Sequence, residues 1–187
     1  MAAVETEAIE IKSPMYGLFI FKAINMEGKQ KCLFWVYGLT KLMKSYVIGF
    51  YGASNSGKTT LIVKIINHLS KEGFCIASVK ISDKKIGIDS EGKDTWKHSQ
   101  AGSELVVFSS ENETDFLLKK NIFSNKIVDI IGQLGEYDVI IVEGANDENI
   151  QKIRIGEIKK RKNTIFTYDD DFEKLINFIK AEILRRN

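Results

Sequence analysis

Cysteine is scarce in this chain: Cys32 and Cys75 stand far apart among 187 residues and form no Cys-x-x-Cys pair. That spacing supplies neither a zinc site nor a disulfide framework, and it suits free thiols in a reducing compartment. The single proline, Pro14, leaves no proline-rich hinge. Long apolar runs are missing too. "YGLFIF" and "CLFWVYGL" are the longest, far too short to span a bilayer. An excess of charge of one sign is also lacking, with 27 Lys and Arg against 25 Asp and Glu and a net charge of +2. Nothing in that balance calls for nucleic acid or a membrane surface as partner. The first residues are acidic (Glu5, Glu7, Glu10) where a secretory signal begins basic. A soluble, cytoplasmic protein is therefore expected. The sequon Asn112-Glu113-Thr114, with no secretion signal, reads as chance.

What is present is a hydrophobic content of 44%, enough for a sizeable core in one domain or one domain with an appendage. From about Tyr46 onward, short β-branched runs alternate with longer helical stretches. "YVIGFY" (46–51) is a continuous apolar run, as in a strand buried on both faces. "LIVKIINHLSKEG" carries Leu61, Ile62, Ile65, Ile66 and Leu69 at helical spacing, with Gly73 as its stop. Further strands are predicted over 74–81, over 105–110 and over 138–144, and in "KIRIGEI" and "NTIFTY". Further helices are predicted in "GKDTWKHSQAGS", "NIFSNKIVDIIGQLG" and "FEKLINFIKAEILRR". This alternation predicts an α/β fold, a mostly parallel sheet with helices on both faces and ligands at the C-terminal strand edge. Residues 1–42 fall outside the rhythm. They read either as two strands around a turn at Asn25 to Gly28, or as an upstream extension before a start at Met43. The nucleotide-binding domain would then occupy residues 43–187.

Gly52 to Thr59 reads G-A-S-N-S-G-K-T and satisfies G-x-x-x-x-G-K-[ST]. A polyphosphate needs several backbone N–H groups converging on it, and a loop can wrap that tightly only where side chains do not obstruct it. The helix that follows offers its unpaired N–H groups and positive dipole end. Gly52, Ala53, Ser54, Asn55, Ser56, Gly57, Lys58, Thr59 and Thr60 are therefore the expected phosphate-binding residues. Lys58 reaches the β and γ phosphates, and the Thr59 hydroxyl ligates Mg²⁺. A P-loop NTPase fold follows. "DVIIVEG" ends an apolar strand in Glu143, which suits a second Mg²⁺ ligand, direct or through water. A solvated glutamate at a strand end is the plainer alternative. Asp89, Lys93, Asp94 and His98 follow the second strand, with Asp94 and His98 at i,i+4 on one side of a helix. Asp94 is a candidate catalytic residue beside Lys58, or simply a charge at a helix start.

Four stretches, "IGFYGASNSGKTTL", "ASVKIS", "GKDTWKHSQAGSELVV" and "YDVIIVEGANDENIQKIRI", together resemble the MobB family, the GTP-binding protein of molybdopterin guanine dinucleotide biosynthesis. The similarity runs over roughly 44–155, and its middle motif is more specific than the P-loop. The resemblance implies GTP and Mg²⁺ as ligands, with Gly52 to Thr60 on the phosphates and Thr59 and Glu143 around the metal. It places Gly92, Lys93, Asp94 and His98 beside the nucleotide. It also implies weak hydrolysis, a homodimer, and an adapter role with the guanylyltransferase MobA, which attaches GMP to the molybdopterin-type cofactor. Two departures stand out. "ISDKKIG" follows Val79-Lys80 where the family commonly has histidines, and "ANDENI" follows Gly144 where an aromatic and a lysine are usual. No Asn-Lys-x-Asp guanine-reading motif is evident. The alternative readings are an ATP-dependent ligase similar to dethiobiotin synthetase in its "VEGA" segment, and a small-molecule P-loop kinase. The ligases' early Thr-Asp is missing from "GASNSGKT", and no arginine-bearing lid is evident for a kinase.

Overall fold

The computed structural model describes residues 8–13, 17–22, 24–26, 29–31, 45–84 and 86–186. The chain divides into two units, Met1–Met43 and Lys44–Asn187. In the first, β1 (Ala8–Ser13) pairs antiparallel with β2 (Gly17–Lys22), and β3 (Ile24–Met26) with β4 (Lys29–Lys31). Two antiparallel strand pairs stand here, where the sequence left open either two strands around one turn or an upstream extension. The predicted strand in "CLFWVYGL" and the alternative start at Met43 lie outside the described residues.

The second unit is built on a five-stranded sheet in which every pairing is parallel. Its strands are β5 (Tyr46–Gly52), β6 (Ile76–Lys80), β9 (Val139–Glu143), β10 (Gln151–Ile155) and β11 (Thr164–Tyr168). They lie side by side in the order β11-β10-β5-β9-β6. Central strands in such a sheet are covered on both sides, which explains the unbroken apolar runs of β5 and β9. Along β9 the side chains alternate between two cores. Val139 and Ile141 join Tyr46, Ile48 and Phe50 of β5 beneath two helices. These are α1 (Lys58–Lys71), burying Leu61, Ile62, Ile65 and Leu69, and α4 (Phe172–Leu184), burying Leu175, Ile176, Ile179 and Ile183. Ile140 and Val142 face the other way, with Ala145, Ile150 and the helical residues Val128 and Ile131. Helix α3 spans Ser124–Leu134. The helix ends follow local chemistry. Gly73, at φ 91°, closes α1, and the Asp171 side chain accepts the Lys174 N–H at 3.0 Å to open α4.

One predicted member of the sheet lies elsewhere. The run over 105–110 forms β7 (Leu105–Ser109), which pairs antiparallel with β8 (Thr114–Leu118), a strand the sequence did not suggest. Only Val106 of β7 is buried, so this strand lacks the two covered faces that a central parallel strand requires. Its turn is held by Ser110, whose N–H donates to the Glu113 carbonyl at 2.9 Å while its hydroxyl accepts the Glu113 N–H. The seven-residue helix α2 (Asp94–Gln100) packs on β7.

Candidate functional site: a phosphate loop and the edge beside it

The loop between β5 and α1 is shaped by positions a side chain would spoil. A Cβ at Gly52 would meet the Ile155 carbonyl oxygen at 2.7 Å and Ser56 Oγ at 2.8 Å. Gly57, at φ 78°, caps α1 with no side-chain hydrogen bond, and Asn55 also takes a left-handed turn at φ 61°. The first turn of α1 carries no acidic residue of its own, so no side chain of the helix offsets the positive end of its dipole. Its leading N–H groups have no partner within the helix, which leaves them available to an anion. Lys58 folds back over the loop. Its Nζ donates to the Gly52 carbonyl at 3.2 Å, to Ser56 Oγ at 3.3 Å, and to the Ala53 carbonyl. A lysine held this way keeps its charge over the concave side of the loop.

Strand register supplies the second half of the site. In the parallel ladders Glu143 sits opposite both Phe50 and Lys80, at the ends of β9, β5 and β6. The Thr59 hydroxyl, in the first turn of α1, donates to Glu143 Oε1 at 2.8 Å. Lys80 Nζ lies 2.8 Å from the same carboxylate oxygen and 3.4 Å from Thr59 Oγ1. Only 12% of the Glu143 side chain is exposed, against 64% for Lys80. Burial pushes the Glu143 carboxyl upward, but the bonds from Lys80 and Thr59 outweigh it and hold the group below the ordinary carboxylate range. Glu143 is therefore an anion, a hard oxygen ligand beside a hydroxyl. Gly144 follows at φ 82°, and a Cβ there would lie 2.5 Å from the Ile81 carbonyl oxygen.

The residues expected on the phosphates, Gly52 to Thr60, and Glu143 are thus brought to one edge. Gly92, Lys93 and Asp94 line one cavity and His98 lines another, beside Ala101, Ser103 and Leu105. Asp94 is exposed and pairs with Lys97 at 3.0 Å. The organiser of this segment is Asp89, whose nearly buried carboxylate accepts from Thr95 at 2.9 Å and from Lys119 at 3.2 Å. Asp94, Asp89 and Lys93 line a cavity of about 570 Å³ together with Phe108, Asp115 and Leu117 of the β7–β8 hairpin. Among the described residues, no hydrogen bond joins Lys93, Asp94 or His98 to the phosphate loop. Arg154 and Arg161 are also committed elsewhere. Arg154 donates to the Ile158 carbonyl at 3.0 Å. Arg161 lies over the Tyr51 ring at 4.7 Å and donates to the Ala145 carbonyl at 3.0 Å.

Comparison with known proteins gives the family. The family profile of Molybdopterin guanine dinucleotide synthesis protein B, MobB, matches residues 47–181. The chain belongs to the MobB family. A Methanocaldococcus jannaschii relative is 33% identical over 119 residues, 63% of this chain and 47% of that protein. The molybdopterin-guanine dinucleotide biosynthesis adapter protein of Haemophilus influenzae is 32% identical over 110 residues, 57% of this chain and 61% of that protein. The chain thus spans about half to three fifths of the length of these curated relatives. The crystal structure of Bacillus subtilis MobB matches the fold, with a TM-score of 0.58 at 17% identity over 73% of this chain and 96% of that one.

Within this MobB-family chain, Lys80 is the site residue that sequence reasoning passed over. It stood in "ASVKIS" with no role attached. The available signal was a lone charged residue ending the short strand IASVK, where the ligand edge of an α/β sheet begins. The two segments that depart from the family pattern are anchored to the site's surroundings. The Ile81 N–H donates to the Glu143 carbonyl at 2.9 Å, which ties "ISDKKIG" to β9. Glu148 of "ANDENI" pairs with Lys162 at 2.8 Å. No helix among the described residues is long and apolar enough to cross a membrane.

Proposed function

We propose that this chain is a GTP-binding adapter in the assembly of the molybdopterin guanine dinucleotide cofactor, acting with slow hydrolysis and with a MobA-type guanylyltransferase as partner. The observation that carries the reading is the convergence of the Gly52–Thr60 loop, Glu143 and Lys80 at the C-terminal edge of three parallel strands. The α1 N-terminus and Lys58 bind and orient the polyphosphate. Thr59 and Glu143 suit Mg²⁺. Their oxygens are 2.8 Å apart, close to the edge of about 2.9 Å separating two ligands at right angles, each about 2.05 Å from the ion. No cluster of three His, Cys, Asp or Glu that would hold a metal occurs among the described residues. Two protein oxygens with water and phosphate completing the shell is the usual Mg²⁺ arrangement at a nucleotide. When bound, the metal supplies charge neutralisation at the terminal phosphates.

The reading of slow turnover is supported by where the two nearby arginines bond. Arg154 and Arg161 are spent on backbone carbonyls, so neither is free to cover the phosphates as a kinase lid does. This favours the adapter over a ligase or kinase. The adapter acts as a homodimer, and Leu105, Val107 and Phe116 stand exposed on one face of the β7–β8 hairpin as apolar surface suited to an association. The test is nucleotide affinity with Mg²⁺, GTP against ATP, for the wild type and Lys58→Ala, with turnover followed in the same samples. Preference for GTP, weakened about tenfold or more in the variant by loss of a charged phosphate contact, with slow hydrolysis, is the expected result. A preference for ATP would sink the assignment.

A further inference from the structure

Lys80 presents a problem that the phosphate loop does not explain. Its side chain is largely exposed, and a long flexible lysine in that setting gains little from fixing itself in one place. Yet it reaches from the edge strand β6 to within 2.8 Å of Glu143 Oε1 and 3.4 Å of Thr59 Oγ1. Those are the two oxygens that suit the metal. With a Thr59–Glu143 separation of 2.8 Å, Nζ completes a triangle with the two oxygens, within reach of both.

We propose that Lys80 is an exchangeable counter-cation: it holds the metal position when no metal is there and is displaced when Mg²⁺ enters with the nucleotide. This rests on the nucleotide and metal reading above. The physical argument is one of charge and room. An ammonium and a divalent ion on one carboxylate oxygen repel each other at close range, which favours one occupant at a time. Of the two cations only the dication can draw in phosphate oxygens and water as further ligands. Lys80 can leave at small cost because its stem is already solvated. Glu143, mostly buried, cannot follow it. The exchange keeps a mostly buried carboxylate paired in both states, avoiding the penalty of an uncompensated charge. No bond is made or broken; one cation replaces another.

Two consequences separate this role from a merely structural one. In the absence of metal, Lys80 supplies part of the positive charge that the nucleotide needs, so the wild type retains some metal-free affinity. With Mg²⁺ present, Lys80 is a competitor that the metal must displace. Substitution of Lys80 therefore acts oppositely on the two affinities.

The experiment measures the dissociation constant of a fluorescent non-hydrolysable GTP analogue in EDTA and in Mg²⁺, for wild type, Lys80→Met and Lys80→Arg. In Lys80→Met the ratio of the EDTA value to the Mg²⁺ value is expected to rise about tenfold, the size of one charge-assisted contact. Lys80→Arg, which keeps the charge, is expected to bring the ratio back toward wild type. An unchanged ratio in Lys80→Met overturns the proposal while leaving the nucleotide site intact. Loss of both affinities by one common factor does the same, since that is what a structural role produces. A wild type that binds the analogue no better with Mg²⁺ overturns the metal reading and the exchange with it. Circular dichroism checks that each variant folds, and Lys80→Gln, of similar length and polar, replaces Lys80→Met if that variant does not.

Discussion

Substituting alanine at Gly144 and at Gly57 separates two reasons for glycine, and the structure assigns a different cost to each. Both are left-handed, at φ 82° and 78°. A Cβ in that region costs about 1–2 kcal/mol, partly offset by about 0.4–1 kcal/mol because alanine also restricts the unfolded chain. At Gly57 nothing lies within 4 Å of the added carbon. The expected loss there is about 1 kcal/mol. At Gly144 the same carbon would sit 2.5 Å from the Ile81 carbonyl oxygen, a backbone atom held at the end of β6 by the Ile81 N–H bond to Glu143. Forcing that contact adds roughly 1–3 kcal/mol, as overpacking does elsewhere, for a total near 3 kcal/mol. A difference of about 2 kcal/mol corresponds to about 4–8 °C in Tm for a chain of this length. Thermal melts followed by circular dichroism, with urea titration for the free energies, would read it. Gly144→Ala should also shift Glu143 away from Thr59 and raise the Mg²⁺ requirement for nucleotide binding. Gly57→Ala should instead disturb the phosphate loop itself. Equal destabilisation in the two variants would refute the argument that close approach, not conformation alone, demands glycine after Glu143.

Two further predictions concern pH. Glu143 is held below its ordinary range, so its stabilising contribution is complete above the usual carboxylate value near 4.5 and is lost as pH falls through the folded-state value. In Glu143→Gln this part of the acid limb should disappear from urea titrations between pH 7 and pH 3; parallel curves for the two proteins would refute it. Lys152 is 1% exposed, with Nζ donating to the carbonyls of Ile150 at 2.8 Å and Lys162 at 3.1 Å. Burial pushes its ammonium below the usual lysine range. Such a group weakens the fold at neutral pH, and stability is regained as pH climbs from the folded value toward 10.5. Lys152→Met should lack that alkaline gain while staying within about 1–2 kcal/mol of the wild type at pH 7, because two carbonyls lose a donor as a buried charge is removed. An alkaline limb unchanged in the variant would assign the gain to other groups.

The parts of this protein legible in its sequence are those whose cause is local. The phosphate loop is one, because glycine positions, small side chains and a following helix with no acid in its first turn are all set within Gly52–Thr60. The two-faced apolar runs of β5 and β9 are another, since burial on both sides is written in consecutive residues. So is the end of α1, which depends on Gly73. Membership of the MobB family was legible for the same reason: its motifs are contiguous strings.

What only tertiary structure decided is which distant pieces lie next to each other. An apolar run does not say which strand it pairs with, so β7 was expected in the parallel sheet and instead pairs with β8. The i,i+4 spacing of Asp94 and His98 was correct as local geometry, yet their segment is organised by the nearly buried Asp89 against the hairpin. Lys80 carries no mark of its own in "ASVKIS". It becomes part of the site because two parallel ladders bring β6 and β5 to either side of Glu143, and the turn after β5 delivers Thr59 to the same carboxylate. Register between strands is fixed by packing summed over the whole sheet, and no window of neighbouring residues contains it.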